Sequence, residues 1–296
     1  MNDALERLAI ACGIAPGYHD IWGNHHPTSE ATRRDLLAAM HFDLDRDPSL
    51  LLAEFEAVLR EAPVLPSGAT AERAFLPPDL AERGRLWGIA IQLYSLRSHR
   101  NWGIGDFTDL SRLVDLVAAA GGDFIGLNPL HALFPDDPSR ISPYSPSHRA
   151  FLNVLYIDVG AVPEFAACET IQCRIASAEF QDGLTALRAR PLVDYPAVAR
   201  HKLAVLRDLF EFQRSRDAAC LDDFARWRAN RGEALERFSL FEALQAHFRA
   251  RDPECWGWPA WPVEYHDPGS PAVADFARKH ASEIDWHAWL QWLADT

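Results

Sequence analysis

Few residues in this sequence combine a reactive type with a spacing that commits them to chemistry. The strongest candidate is Tyr144, inside Ser142-Pro143-Tyr144-Ser145-Pro146. Two prolines flank it, and each fixes its own φ, so the loop is stiff where the tyrosine stands. A ring held that way offers a flat face to the C–H face of a sugar. The same spacing also allows a ring packed under its own loop, and both readings stay open here. Glycoside chemistry needs two carboxylates that converge in space. Asp106, Asp158 and Glu264 are of the right type, but sequence spacing brings no two of them together. His25-His26 beside Asn24 lacks the three or four convergent ligands of a metal site, and is expected to be a solvated or capping pair. His280 and His287 are expected on the surface of the last helix. No GxSxG elbow supports a serine nucleophile.

A second segment is Leu93–Asp106, LYSLRSHRNWGIGD. A glycine turn at the C-terminal end of a strand is where α/β folds build sites. GIGD lacks the GxGxxG spacing and ends in an acid that would repel phosphate, so a tight structural turn is the favoured reading over an anion site.

The elements that must position these residues read as follows. Residues 1–61 form a small helical unit. Leu5, Leu8, Ala9 and Cys12 share one face, with Gly13 ending that helix. Ser29 precedes a second helix carrying Leu36, Leu37 and Met40, and Asp47-Pro48 opens a third with Leu51, Leu52, Phe55 and Leu59. Residues 62–84 hold Pro63, Pro66, Gly68, Pro77 and Pro78 and are expected to be a linker. Trp87–Tyr94 then reads as a buried strand, Asp106 as an N-cap with Asp109 at the third helical position, and Phe107, Leu110, Val114 and Val117 as the helix. Gly121-Gly122 stops it, and Phe124–Leu127 is a second strand. Strand, helix, strand in about 40 residues predicts two parallel strands with a right-handed crossover. Residues 129–165 read as a Pro- and Ser-rich loop with one apolar stretch, Val154–Val159. From 195 onward the pattern is helical, ending in a helix with Trp286, Trp289, Leu290 and Leu293 on one face.

The chain has 296 residues with 29 basic and 42 acidic, a net charge of 29 − 42 = −13, and 48% hydrophobic residues. This is a globular composition, and its acidity argues against nucleic acid or an anionic membrane as partner. The five cysteines (Cys12, Cys168, Cys173, Cys220 and Cys255) form no CxxC pair. They read as reduced, mostly buried thiols in a cytoplasmic protein. The N-terminus lacks a signal-peptide pattern, and no apolar run approaches the ~20 residues of a membrane span.

WGIAIQLYSLRSHRNWGIGDFTDL followed by GGDFIGLNPLHALFPDDPSRISPYSPSHRAFLNVLYIDV closely resembles glycoside hydrolase family 77, the 4-α-glucanotransferases. LERLAIACGI…YHDIWGN…LLAAM resembles the helical N-terminal region of longer bacterial members. PLVDYPAVARHKLAVLRDLFEF and FSLFEALQAHF…WPAWPVEYHDP resemble the helical insertion after the second barrel strand. The likeness thus runs over almost the whole chain.

The resemblance implies an α/β fold: the first strands of a (β/α)8 TIM barrel plus a helical insertion over 85–296, behind an N-terminal helical domain, and helix-rich overall. It implies transfer of α-1,4-glucan segments between maltooligosaccharides by the retaining two-carboxylate mechanism, with a sugar acceptor in place of water and no cofactor. Tyr144 matches the family tyrosine that lies against sugar, and Ser142 and Pro143 shape its loop. Asp106 of GIGD and Asn153 of FLNVLYID match positions at the cleft end of the barrel, expected as scaffold first and sugar-binding second. The family's aspartate nucleophile, glutamate acid/base and stabilising aspartate sit on later strands, with an Arg-Ile-Asp-His type motif that does not occur in this sequence. The expectation is therefore a chain that stops before those strands and is inactive alone. The alternative is a non-catalytic glucan-binding or interaction remnant.

Overall fold

The computed structural model describes residues 3–61, 77–215 and 222–296. The chain divides into two units, Met1–Pro77 and Pro78–Thr296.

In the first unit, α1 (Asp3–Ala11), α2 (Glu30–Ala39) and α3 (Pro48–Glu61) enclose Leu5, Leu8, Ala9, Leu37, Leu51 and Leu52. Helical spacing assigns these positions to the inner faces, but Leu36, Met40 and Leu59, which it groups with them, are exposed. Ser29 caps α2 by accepting from the Thr32 amide at 3.0 Å. The chain between α1 and α2, which the sequence pattern leaves as loop, holds an antiparallel pair, β1 (Gly17–His19) and β2 (His25–Pro27). Asp20 organises its turn: Oδ1 accepts from the Trp22 and Asn24 amides, both at 2.9 Å, and Oδ2 lies 2.9 Å from His26 Nε2. His26 first, and then the Asn24 and Trp22 donors, pull the Asp20 carboxyl down to about 2.

In the second unit, α4 (Pro78–Arg83) begins with a proline, whose missing N–H costs nothing at a helix start. Most of the expected linker, residues 62–76, lies outside the described residues. β3 (Gly88–Ile91) pairs in parallel with β4 (Phe124–Leu127), in register Gly88↔Phe124 to Ile91↔Leu127, with α5 (Phe107–Ala119) as the crossover. β3 is shorter than the apolar run Trp87–Tyr94. After Ile91 the chain tightens into a 3-10 turn, Leu93–Ser95, because the Leu93 amide is taken by a side chain, Asn128 Oδ1 at 2.9 Å. β5 (His131–Ala132) and β6 (His148–Leu152) form a second, antiparallel pair inside the stretch read as loop. The apolar Val154–Val159 is buried, but as 3-10 turns at Val154–Tyr156 and Val159–Ala161.

The remainder is helical: α6 (Glu169–Ala176), α7 (Ala178–Ala189), α8 (Tyr195–Arg214), α9 (Asp222–Arg249, kinked at Gly232), α10 (Pro271–Lys279) and α11 (Ala281–Asp295). The described part is thus helix-rich, with short strands in pairs. Trp289 is wholly buried, its ring 5.5 Å from Phe210 and 5.9 Å from Trp286. A satellite core gathers Leu244, Cys255, Trp261, Val273, Phe276 and Ile284. His287 corrects the surface expectation: it is 7% exposed. Burial, aided by Arg207, pushes its pKa down to about 3, so it is neutral. Cys173 is the exposed thiol, Cys168 and Cys255 are buried, Cys12 is partly so, and Cys220 lies outside the described residues. No helix among the described residues is long and apolar enough to cross a membrane.

Candidate functional site

The site is built where β3 and β4 end. Asn128, the first residue after β4, ties the two strand ends together: its Oδ1 accepts from Leu93 N at 2.9 Å and its Nδ2 donates to the Pro129 carbonyl at 2.8 Å. Tyr94, Tyr156 and Tyr195 gather here, with the Tyr94 and Tyr195 rings 6.3 Å apart. Burial raises the phenol pKa of both Tyr156 and Tyr195, so neither ionises near neutrality. Asn153 is 2% exposed. Its Oδ1 accepts from Leu155 N at 3.1 Å and its own amide donates to the Leu130 carbonyl at 2.9 Å. These bonds make it the cap that turns the chain out of β6.

The turn after β3 is organised around Arg100. One guanidinium nitrogen reaches both Asp106 Oδ1 and, at 2.9 Å, Asp109 Oδ1, and the other reaches Asp158 Oδ2 at 2.6 Å. Asp106 and Asp109 form a reciprocal capping box at the start of α5: Asp109 N donates to Asp106 Oδ1 at 2.9 Å and Asp106 N to Asp109 Oδ2 at 3.4 Å. Asn101 Nδ2 donates to Asp109 Oδ2 at 2.8 Å, and Thr108 Oγ1 to Asp158 Oδ2 at 2.7 Å. Burial works against the Arg100 charge, but Asp106 and Asp158 more than offset it and hold its pKa above the ordinary value. Burial likewise opposes the Asp109 charge, and the Asn101, Ser98 and Arg100 donors overcome it, keeping that carboxyl below its usual range. Gly105 must be glycine, since a Cβ there would stand 2.1 Å from the Leu93 carbonyl oxygen. The helix start is therefore already occupied by its own aspartates, which agrees with a structural turn.

Behind this clasp lies Lys202 of α8, 1% exposed. Its Nζ donates to the Leu155 and Ile157 carbonyls at 2.7 and 2.8 Å. Burial pushes its pKa down to about 8, against the pull of Asp106 and Asp158. Neither Arg100 nor Lys202 was singled out by the sequence pattern. Lys202 did carry a signal: it occupies the same helical stripe as Val198, Val205, Leu206 and Leu209, all 0% exposed.

The loop between β5 and β6 holds the other candidates. Ser145 N donates to the Ser142 carbonyl at 3.1 Å, which closes a turn with Pro143 and Tyr144 at its centre. Tyr144 is 74% exposed and its hydroxyl makes no hydrogen bond, so the ring is not packed under its own loop. The five residues expected at the cleft thus divide. Asp106 and Asn153 are buried and committed to backbone or charge partners. Ser142, Pro143 and Tyr144 form one outward turn. Glu264 stands apart, exposed on a surface turn.

Residues 91–296 match the sequence profile of glycoside hydrolase family 77, described as 4-alpha-glucanotransferase. The chain belongs to this family. The 4-alpha-glucanotransferase of Haemophilus influenzae is 32% identical over 360 residues, covering 100% of this chain and 51% of that protein. That of Mycobacterium tuberculosis is 36% identical over 235 residues, covering 74% and 30%. The chain therefore spans about half the length of the first relative, and less of the second. The fold is similar to that of amylomaltase from Corynebacterium glutamicum, with a TM-score of 0.60 at 23% identity, covering 100% of this chain and 51% of that one. It is also similar to amylomaltase from Streptococcus agalactiae in complex with acarbose, with a TM-score of 0.54 at 18% identity, covering 71% and 39%. Within the family-matched region fall the Arg100 clasp, the Tyr144 turn and Lys202.

Proposed function

We propose that this chain supplies one wall of the glucan cleft of a 4-α-glucanotransferase, with Tyr144 stacking against a glucose unit of an α-1,4-glucan. The observation that carries this is the exposed Tyr144 ring on a proline-stiffened turn, inside the region that places the chain in the family. Asp106 and Asn153 serve this wall as scaffold, and Ser142 and Pro143 set the direction of the ring. The same reading takes 1–61 as a helical domain, 62–84 as a linker, and 85–296 as the opening strands of a (β/α)8 barrel with its helical insertion. The protein works in the cytoplasm, on neutral sugar chains and without a cofactor.

The transfer itself proceeds by a retaining mechanism, which requires two carboxyl groups about 5–5.5 Å apart across the scissile bond. Carboxylates that converge among the described residues are otherwise engaged. Asp106, Asp109 and Asp158 are held by Arg100, Glu242 is buried, and the Asp136 side chain is 7% exposed and bonded to Gln245. We therefore infer that this chain by itself binds maltooligosaccharides without transferring them. The test is to incubate the pure chain with maltotriose, and to map backbone hydrogen exchange with and without millimolar maltoheptaose. The expected result is no glucose and no longer glucans, with slowed exchange in 133–147. A ladder of longer glucans would overturn the first inference, and exchange unaffected by sugar would overturn the binding reading.

A further inference from the structure

The loop that carries Tyr144 is fastened less to the strands than to α9. Ser147 Oγ donates to Glu242 Oε1 at 2.5 Å. Gln245 Nε2 donates to Asp136 Oδ2 at 3.1 Å, and the same amide group links on to the Cys255 carbonyl and to Trp261 Nε1. Arg249 lies 3.0 Å from Asp137 and 3.9 Å from Asp136. Below these bonds the Phe151 and Phe238 rings stack at 4.1 Å. The loop roofs a cavity of about 20 Å³, lined by Leu133, Phe134, Arg140, Glu242, His287 and Gln291 among others, which is room for a single water.

We propose that Glu242 is a positioning residue for the Tyr144 loop: its buried carboxyl holds Ser147 and, while uncharged, lets Asp136 of the same loop dock beside it. The proposal rests on the reading of Tyr144 as a glucan contact, and it assigns the placing of that contact to α9. Burial beside a second carboxylate favours an uncharged group at Glu242. Asp136 and Asp137 share Arg249, while Glu242 is 2% exposed and close enough to Asp136 to feel its charge. The other groups around Glu242 are Ser147 and the cation Arg140 from the loop, and Gln291 and neutral His287 from α11, while Gln245 of α9 faces Asp136. Two like charges in such a site cannot both be ionised cheaply, so one keeps its proton. Burial first, and Asp136 second, push the Glu242 carboxyl up to about 8, and Ser147 only partly counters them. Burial raises the Asp136 carboxyl as well.

The sign follows from the raised value. A released Glu242 titrates at the ordinary 4.5, whereas the docked one holds its proton to about pH 8. Docking is therefore strongest below pH 4.5, weakens as pH rises, and levels off above about 8.

The experiment compares the chain with E242Q and E242A by hydrogen exchange at the Ser145 and Ser147 amides, read against β4 amides and corrected for the intrinsic rate. In the unmodified chain, protection at these two amides is expected to fall by up to about tenfold per pH unit across that window. In E242Q, whose side chain is neutral at every pH, protection stays high and falls less steeply, the remaining slope belonging to Asp136. In E242A it drops at least about tenfold at pH 6 while β4 is unchanged, and the maltoheptaose Kd rises about fivefold, a loss that E242Q does not share. Loop protection in E242A equal to that of the unmodified chain, E242Q as unprotected as E242A, or a flat pH profile in the unmodified chain would each overturn the proposal. Should E242A fail to fold, the contrast between E242Q and the unmodified chain across pH decides it. If the unmodified chain binds no maltoheptaose, the glucan reading fails, while the exchange result still judges the tether.

Discussion

The segments that follow β3 and β4 are both rich in polar residues and both leave the C-terminal end of a parallel strand, yet they use those residues in opposite ways. After β3, Arg100, Asn101, Asp106 and Asp109 turn inward and bond to one another, with Asp158 reaching Thr108 from 50 residues away. After β4, the turn at Ser142–Ser145 faces outward, and what holds its loop lies at the ends and flank. A dense network of charges makes a rigid frame and keeps its carboxylates from a ligand. An outward turn keeps a ring free but needs a frame from elsewhere. A sugar cleft needs both, and here they sit on neighbouring loops.

Breaking the first loop should cost most. R100M leaves Asp106, Asp109 and Asp158 without their shared cation in a site that is mostly buried. The expected loss is about 3–5 kcal/mol, seen as a large fall in the urea midpoint. A fall comparable to that of an exposed arginine, such as R237M, would show that the clasp does not frame the site.

Next comes K202M, which leaves the Leu155 and Ile157 carbonyls without their donor, at a cost of about 1–3 kcal/mol at pH 10. Lys202 titrates at about 8 when folded and at 10.5 ordinarily, so its contribution is complete above 10.5 and is lost as pH falls through 8. The stability gap between the unmodified chain and K202M should therefore narrow from pH 10 to pH 7.5, read by urea unfolding at each pH. A gap that widens as pH falls would mean the buried amine is stabilising as a cation.

How much of this contrast was legible beforehand depends on its range along the chain. The Asp106–Asp109 capping box is a three-residue spacing and was readable, as were the α1 face and the burial of Trp286, Trp289 and Leu290, whereas α2 and α3 were read only in part, since Leu36, Met40 and Leu59 are exposed. The β1–β2 hairpin was not, because three-residue strands are too short to show alternation. The tightening after Ile91 was hidden because its cause, Asn128, lies 35 residues on. His287 was misplaced for a different reason. On α11, Ile284, Trp286, His287, Ala288, Trp289, Leu290 and Gln291 are all buried, and a helix enclosed on nearly every side has no stripe to reveal which polar residue is inside. At the site, the stiffness of the turn was legible from its prolines but its outward direction was not, and the partners that fix its loop, Glu242 and Gln245, are tertiary.

The smallest effect on stability belongs to the residue with the largest role proposed for it. Tyr144 is 74% exposed and bonds to nothing, so Y144A should change unfolding free energy by less than about 0.5 kcal/mol. Its effect on sugar should be large, and this separation is the most direct test of the central claim. Titrating maltoheptaose against the unmodified chain and Y144A, both shown to melt at the same temperature, should reveal saturable binding that weakens about tenfold, or ~1.4 kcal/mol, without the ring. Equal affinity in the two chains would contradict it.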